Sequence, residues 1–231
     1  MSARAALPMY DWPELREQVD AFYAQLRGLV PDLPETLTRV QTEAQLHALW
    51  RAPDLVLAQT CWGPLHSGLD AHVHVLAQPR YDDVPGGRDT RYRSALVMRA
   101  GQPCAAPLSE GACLPQGLAQ LRPAINAPDS MSGCLALMQD MDAPNLAQGA
   151  YLTGSHRASI RAVADGRADF AAIDCRSWAY ALSYEPAAAT LVVTGWTALR
   201  PGLPLITSRQ TPTARRTRLA RALVQLGAAP A

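Results

Sequence analysis

Small polar residues gather at four points where an apolar, strand-like run gives way to a helical pattern. They are Gln59-Thr60-Cys61, Asp129-Ser130-Met131-Ser132-Gly133, Thr153-Gly154-Ser155-His156 and Asp174-Cys175. In open α/β sheets, ligands collect beyond the carboxyl ends of the strands, at the switch point of the topology. A helix starting there presents unpaired N–H groups and the positive end of its dipole, which suits an anion without any basic side chain. Ser130 and Ser132 would add hydroxyl donors to that ring. The competing reading is plain capping, in which Asp129 or Ser130 serves only its own helix. One junction alone would favour capping; four weigh the two readings evenly.

Other chemistry is thinner. His156 starts a helix and can donate to a ligand oxygen or act as a base. His72 and His74 alternate along one strand, but with no third ligand in view they read as surface residues and not as a metal site. Ser132, His156 and Asp174 are the residue types of a nucleophilic triad. The local sequence lacks the GxSxG elbow, having Asp129 where the first glycine belongs. Tyr10, Tyr81 and Tyr92 are aromatic candidates for stacking on a ligand, each with an ordinary core or rim role as its alternative. No cofactor is expected: all 21 basic residues are arginine, so neither a lysine Schiff base nor a P-loop lysine exists.

The elements that must carry these residues alternate between strand and helix, predicting an α/β chain with largely parallel sheets. A short strand at 5–9 opens it. Asp11 and Glu14 form a capping-box pattern before the stripe Trp12, Leu15, Val19, Phe22, Leu26 and Leu29. Thr42 and Gln45 repeat the device ahead of Leu46, Leu49 and Trp50. Strands are predicted at 54–59, 72–77, 92–99, 122–126, 150–153, 168–173 and 191–196. Helices are predicted at 130–141, 156–165 with Gly166 beyond its end, and 176–184. A last helix begins near Pro212 and buries Leu219, Leu223 and Leu226. Its arginines 215, 216, 218 and 221 read as a solvated face. Residues 100–117, rich in proline and glycine, read as a connection.

The chain has 231 residues, 48% hydrophobic and 18% charged, with a net charge of +1. That balance provides no basic face for nucleic acid and no pull toward an acidic surface. Five cysteines show no metal spacing, and their odd number rules out a complete disulfide framework. Cys104 and Cys113 flank a loop-like stretch and can pair in an oxidising compartment; the alternative is small apolar filler. Residues 1–10 show no signal-peptide pattern. The expectation is therefore a cytoplasmic chain or one whose leader precedes this numbering.

The segments Asn126 to Gly133, Thr153 to His156 and Gly166-Arg167-Ala168-Asp169-Phe170-Ala171-Ala172-Ile173-Asp174 resemble the phosphate/phosphonate ABC-transporter substrate-binding proteins. Leu7-Pro8-Met9-Tyr10-Asp11 and Tyr92-Arg93-Ser94 are similar to first-lobe segments of that family. The resemblance implies a type II periplasmic-binding fold: two α/β lobes with mixed sheets flanked by helices, joined by two crossing strands. It implies a first lobe of 1–99 plus 190–231, a second of 100–189, and a hinge near 98–101 and 189–193. It implies a small anionic ligand in the cleft, held by Ser130, Met131, Ser132, Ser155, His156 and Tyr92, with Asp174 and Cys175 lining the same cleft. Tyr10, Gln59, Thr60 and Ser94 complete the expected ligand set. A transporter permease as partner and a monomeric state also follow from the resemblance. Met131 stands where a hydroxyl residue is common in the family, and Asp174 would repel a bare phosphate unless the ligand brings a proton donor. The rival is an enzyme on the same fold, of the menaquinone- or thiamine-precursor type, with His156, Asp174 and Cys175 as acid–base candidates.

Overall fold

A computed structural model describes residues 3–231. Chain contacts divide it into two compact units, one of residues 1–80 with 202–231 and one of residues 81–201.

The first unit contains β1 (Arg4–Ala5), α1 (Arg16–Leu29), α2 (Glu43–Trp50), β2 (Leu55–Gln59), α3 (Trp62–His66) and β3 (Val73–Gln78). The second contains β4 (Gly87–Arg88), β5 (Arg91–Tyr92), β6 (Ser94–Met98), β7 (Pro123–Ile125), α4 (Ala136–Asp140) and β8 (Tyr151–Leu152). It goes on with α5 (His156–Ala164), β9 (Phe170–Asp174), α6 (Cys175–Tyr184), β10 (Val192–Trp196) and β11 (Arg200–Pro201). The chain then returns to the first unit for β12 (Leu205–Ser208), α7 (Thr213–Gln225) and β13 (Ala229–Pro230).

The first unit's sheet runs β1-β2-β12-β3-β13. Helices cover both of its faces, which is why β2 reads as an unbroken apolar run, Leu55-Val56-Leu57-Ala58. Leu57, Leu76 and Leu205 pack with Tyr23, Leu26, Leu219 and Leu223, the buried stripes of α1 and α7. Leu55, Ala58 and Ile206 point the other way, toward Leu49 and Trp50 of α2 and Leu65 of α3. The Thr42–Gln45 capping box forms as expected. The Asp11–Glu14 box does not. Trp12 occupies the cap position, Pro13 starts a 3₁₀ turn, and the Asp11 carboxylate is instead taken by Arg39 Nε at 2.7 Å.

The second unit's main sheet runs β10-β6-β9-β7-β8, over a core that includes Leu96, Leu137 and Phe170. β7 is parallel to β8 and β9, whereas β6 is antiparallel to both β9 and β10. In the first unit, β12 is antiparallel to β2 and β3. The sheets are therefore mixed, correcting the largely parallel arrangement that alternation alone predicts. β12, a fully buried strand of only four residues, Leu205-Ile206-Thr207-Ser208, carries no alternating pattern of its own.

The unit boundaries fall at 80/81 and 201/202, whereas the sequence reading put them at 99/100 and 189/190. β6 and β10 account for the difference. Ser94 to Met98 pair residue by residue with Asp174 to Phe170, and β10 hydrogen-bonds to β6. Both strands thus belong to the second unit's sheet, and the expected hinge segments at 98–101 and 189–193 lie inside that unit. Among the described residues, no helix is long and apolar enough to cross a membrane.

Candidate functional site

The second unit brings three of the four polar junctions together. β7 and β8 run parallel, so their carboxyl ends face the same way. Thr153 N donates to Ile125 O at 2.9 Å and Gly154 N to Asn126 O at 3.0 Å, stitching the two junctions side by side. β9, on the other flank of β7, ends at Asp174.

After β7 the chain turns at Ser130, whose hydroxyl accepts from Gly133 N at 3.2 Å. The turn that follows, Met131–Leu135, is π-wound: Leu135 N reaches back to Ser130 O at 2.9 Å before α4 proper begins. Such widened turns recur at functional sites, because they loosen the backbone where a helix would otherwise close on itself. Ser94 on β6 fixes the turn by donating its hydroxyl to Ser132 O at 2.9 Å.

Ser132 Oγ then stands 2.8 Å from His156 Nε2 and 3.5 Å from Ser130 Oγ. His156 Nε2 also lies 3.4 Å from Asp174 Oδ2. The histidine side chain keeps 13% exposure and the aspartate 2%. Burial pushes the His156 imidazole below its usual range, against the opposing pull of the Asp174 carboxylate. A carboxylate beside Nε2 favours the tautomer with its proton there, leaving Nδ1 as an acceptor. That Nδ1 is buried and has no hydrogen-bond partner among the described residues; neither has Asn126 Oδ1. A Cβ added at Gly133 would lie 1.8 Å from Asn126 Oδ1 and 3.3 Å from His156 Cε1, so only glycine lets the turn approach both groups.

The remaining expected site residues are placed as follows. Met131 is buried in the π turn. Ser155 is exposed and caps α5, accepting from Ala158 N at 3.1 Å. Asp174 divides its carboxylate, capping α6 through Ser177 N at 3.0 Å while its second oxygen faces His156. Tyr92 is buried beside Tyr81, with ring centroids 5.7 Å apart. Both tyrosines belong to the second unit. Tyr10, Gln59 and Thr60 belong to the first. There Tyr10 is half-buried in a bend, Gln59 Nε2 donates to Leu203 O at 3.3 Å, and Thr60 is fully buried.

Two rival chemistries fare poorly. A hydrolytic triad needs serine and aspartate on opposite ring nitrogens, yet Ser132 and Asp174 both face Nε2. The Cys175 thiol is buried and pushed up to about 12 by burial first and Asp174 second, which keeps it protonated at neutral pH. His74 sits near Arg209 and Arg216, with burial the main cause of its lowered basicity. In the C-terminal helix, Arg215 and Arg218 both pair with Asp32.

A family model described as "ABC transporter, phosphonate, periplasmic substrate-binding protein" matches residues 5–231. The chain belongs to that family. No curated protein matches it in sequence. Among solved structures, PhnD1 from Prochlorococcus marinus in complex with methylphosphonate is similar at a TM-score of 0.72 and 17% identity. That likeness covers 97% of this chain and 84% of the other. A binding protein component of the ABC phosphonate transporter from Pseudomonas aeruginosa has a TM-score of 0.68 at 18% identity, covering 99% and 80%. The periplasmic VFT2 domain of Bordetella pertussis BvgS, at 17% identity, covers 98% and 88% with a TM-score of 0.63. These likenesses show the periplasmic-binding fold, and the family membership makes the chain a phosphonate-type substrate-binding protein.

Asn126 and Gly133 are the residues of this candidate site that the expected ligand set leaves out. Their signal was present but indirect: an asparagine at a strand end, and a glycine three residues after a capping serine, where alanine would serve a plain helix better.

Proposed function

We propose that this phosphonate-family protein receives its oxyanion at the Ser130–Gly133 turn and passes it on without covalent chemistry. The carrying observation is the convergence of His156 Nδ1 and Asn126 Oδ1, both buried and unpartnered, on a turn that already presents the Ser132 hydroxyl. Buried polar groups are nearly always hydrogen-bonded in a finished structure, so two unmet acceptors at one turn belong to a site completed by a ligand that carries a proton donor beside its anionic oxygens. The Ser130 and Ser132 hydroxyls would donate to the oxyanion, and a ligand that brings a proton would share it with His156 Nδ1. Asp174 beside them selects a ligand that brings a proton of its own, such as a monoprotonated phosphonate or one carrying an amine or hydroxyl. The two-on-one-nitrogen arrangement around His156 supports binding over catalysis, and an ABC permease is the recipient that the family implies.

The test is calorimetric titration with methylphosphonate, aminoethylphosphonate, phosphite and phosphate, repeated on Ser130→Ala/Ser132→Ala. Two hydrogen bonds to a charged ligand are worth about 3–6 kcal/mol together, so the double variant should bind at least 100-fold more weakly. Absence of binding by any of the four, with a protein that melts cooperatively, would reject the reading.

A further inference from the structure

The segment between β6 and β7 carries two cysteines, Cys104 and Cys113, that stand apart from the Ser130–Gly133 turn. Cys104 and Cys113 sit near the two ends of an exposed excursion, and both are tied by backbone bonds to the same strand, β10. Cys104 N donates to Val193 O at 2.9 Å. Cys113 and Trp196 exchange both of their backbone bonds, at 2.8 and 2.7 Å. The Trp196 indole closes the frame by donating to Cys104 O at 2.9 Å. With both backbones anchored this way, the two sulfurs meet 3.4 Å apart. The sheet thus holds the two backbones side by side, within reach of each other's side chains.

We propose that Cys104 and Cys113 form a disulfide site that locks the intervening loop onto β10. The oxidant is a small disulfide or a thiol–disulfide oxidoreductase. Cys113 is the exposed member, and its thiolate attacks one sulfur of the oxidant, expelling a thiolate and forming a mixed disulfide. Cys104 then loses its proton to solvent and attacks the Cys113 sulfur, forming the Cys104–Cys113 bond and releasing the second thiolate. Two protein thiols are oxidised and one external disulfide is reduced to two thiols. The order follows from burial, which pushes the Cys104 thiol up and leaves it the resolving partner. Cys134 and Cys175 are buried, so they do not compete.

The lock has something to hold. The loop's Ser109 and Gly111 carbonyls accept from the buried Arg93 guanidinium, the latter at 2.8 Å. Glu110 pairs with Arg88 at 2.6 Å and Arg91 at 2.8 Å, on the small sheet of β11, β5 and β4. Closing the loop covalently removes the open conformations that would release these contacts.

The experiment is oxidation of the reduced full chain with glutathione disulfide, read by intact mass and peptide mapping. The expected result is loss of two hydrogens and a Cys104–Cys113 peptide, with Tm raised by roughly 5 °C over the reduced protein. Cys104→Ser should instead trap glutathione on Cys113, and Cys113→Ser should react far more slowly. The double serine variant should melt as the reduced protein does under both conditions, which controls for folding. Thiols that stay free under oxidation, a linkage through Cys61, or a lasting mixed disulfide on Cys113 in the unmutated chain would each overturn the proposal.

Discussion

Two buried polar regions of the second unit, one around Arg93 and one around His156, end in opposite states. The Arg93 guanidinium is spent: it donates to the carbonyls of Thr197, at 2.7 Å, Gly111 and Ser109, and its residue is only 2% exposed. Burial, with Arg88 and Arg91 nearby, lowers its basicity, and every contact that compensates is internal. Around His156 the internal partners run out, leaving Nδ1 and the Asn126 carbonyl oxygen without a donor among the described residues. A saturated polar knot holds a fold together, whereas an unsaturated one waits for something to complete it. Saturation, more than burial, separates these two regions.

The comparison breaks most visibly at Arg93. Replacing it with alanine removes a large buried side chain and leaves the buried Thr197 carbonyl unpartnered, a cost of about 3 kcal/mol. Tm should fall by roughly 8 °C, while the folded fraction keeps its ligand affinity. Differential scanning calorimetry and titration on one sample measure both quantities. A large loss of affinity together with the expected loss of stability would show that the two regions are not independent.

Gly133 sharpens the comparison with a smaller effect. In an ordinary helix, glycine to alanine would stabilise by roughly 0.5–1 kcal/mol. Here the new Cβ meets the Asn126 amide, so Gly133→Ala should cost about 2 kcal/mol and abolish high-affinity binding. In an Asn126→Ala background the same change should cost less than about 1 kcal/mol, a coupling that urea denaturation of the four proteins would resolve. Additive costs would mean that the turn does not depend on this close approach.

Much of this organisation is legible in the chain, but unevenly. The Thr42–Gln45 box, the α7 stripe and the glycine end of α5 rest on local rules, and each forms: Gly166 N bonds Val163 O and Arg167 N bonds Ala162 O beyond the helix. Asp11 follows the same local rule and departs from it, because Arg39, far along the chain, takes its carboxylate. The unit boundaries differ from those the resemblance implies for a related reason. Nothing in Ser94 to Met98 says that its partner strand is Phe170 to Asp174, since strand pairing is a long-range choice. Ser130, Ser132, His156 and Asp174 were visible because helix starts carry a local signature. Which of them retain unspent hydrogen-bonding capacity depends on distances across four elements, and no spacing records that.

The smallest effect is a pH dependence that separates the two units. His156 in the second unit and His74 in the first both titrate below the usual imidazole value of 6.5, with burial as the main cause. Each therefore binds its proton more readily when unfolded. Between that value and the lower native one, the unfolded state carries the extra proton, so stability is full above about pH 6.5 and is lost as pH falls through it. One such group gives a slope of at most about 1.4 kcal/mol per pH unit. His156→Gln should remove one group's share and leave the share of His74, and His74→Gln the converse, in urea melts between pH 5 and 8. Ligand distinguishes them further. A bound oxyanion favours the imidazolium of His156 and so should shrink only that histidine's share, leaving the slope of the His156→Gln protein unchanged. A ligand that flattens both variants equally would mean that the anion is not felt at His156, and the unsatisfied Nδ1 would then have to be completed by some other group.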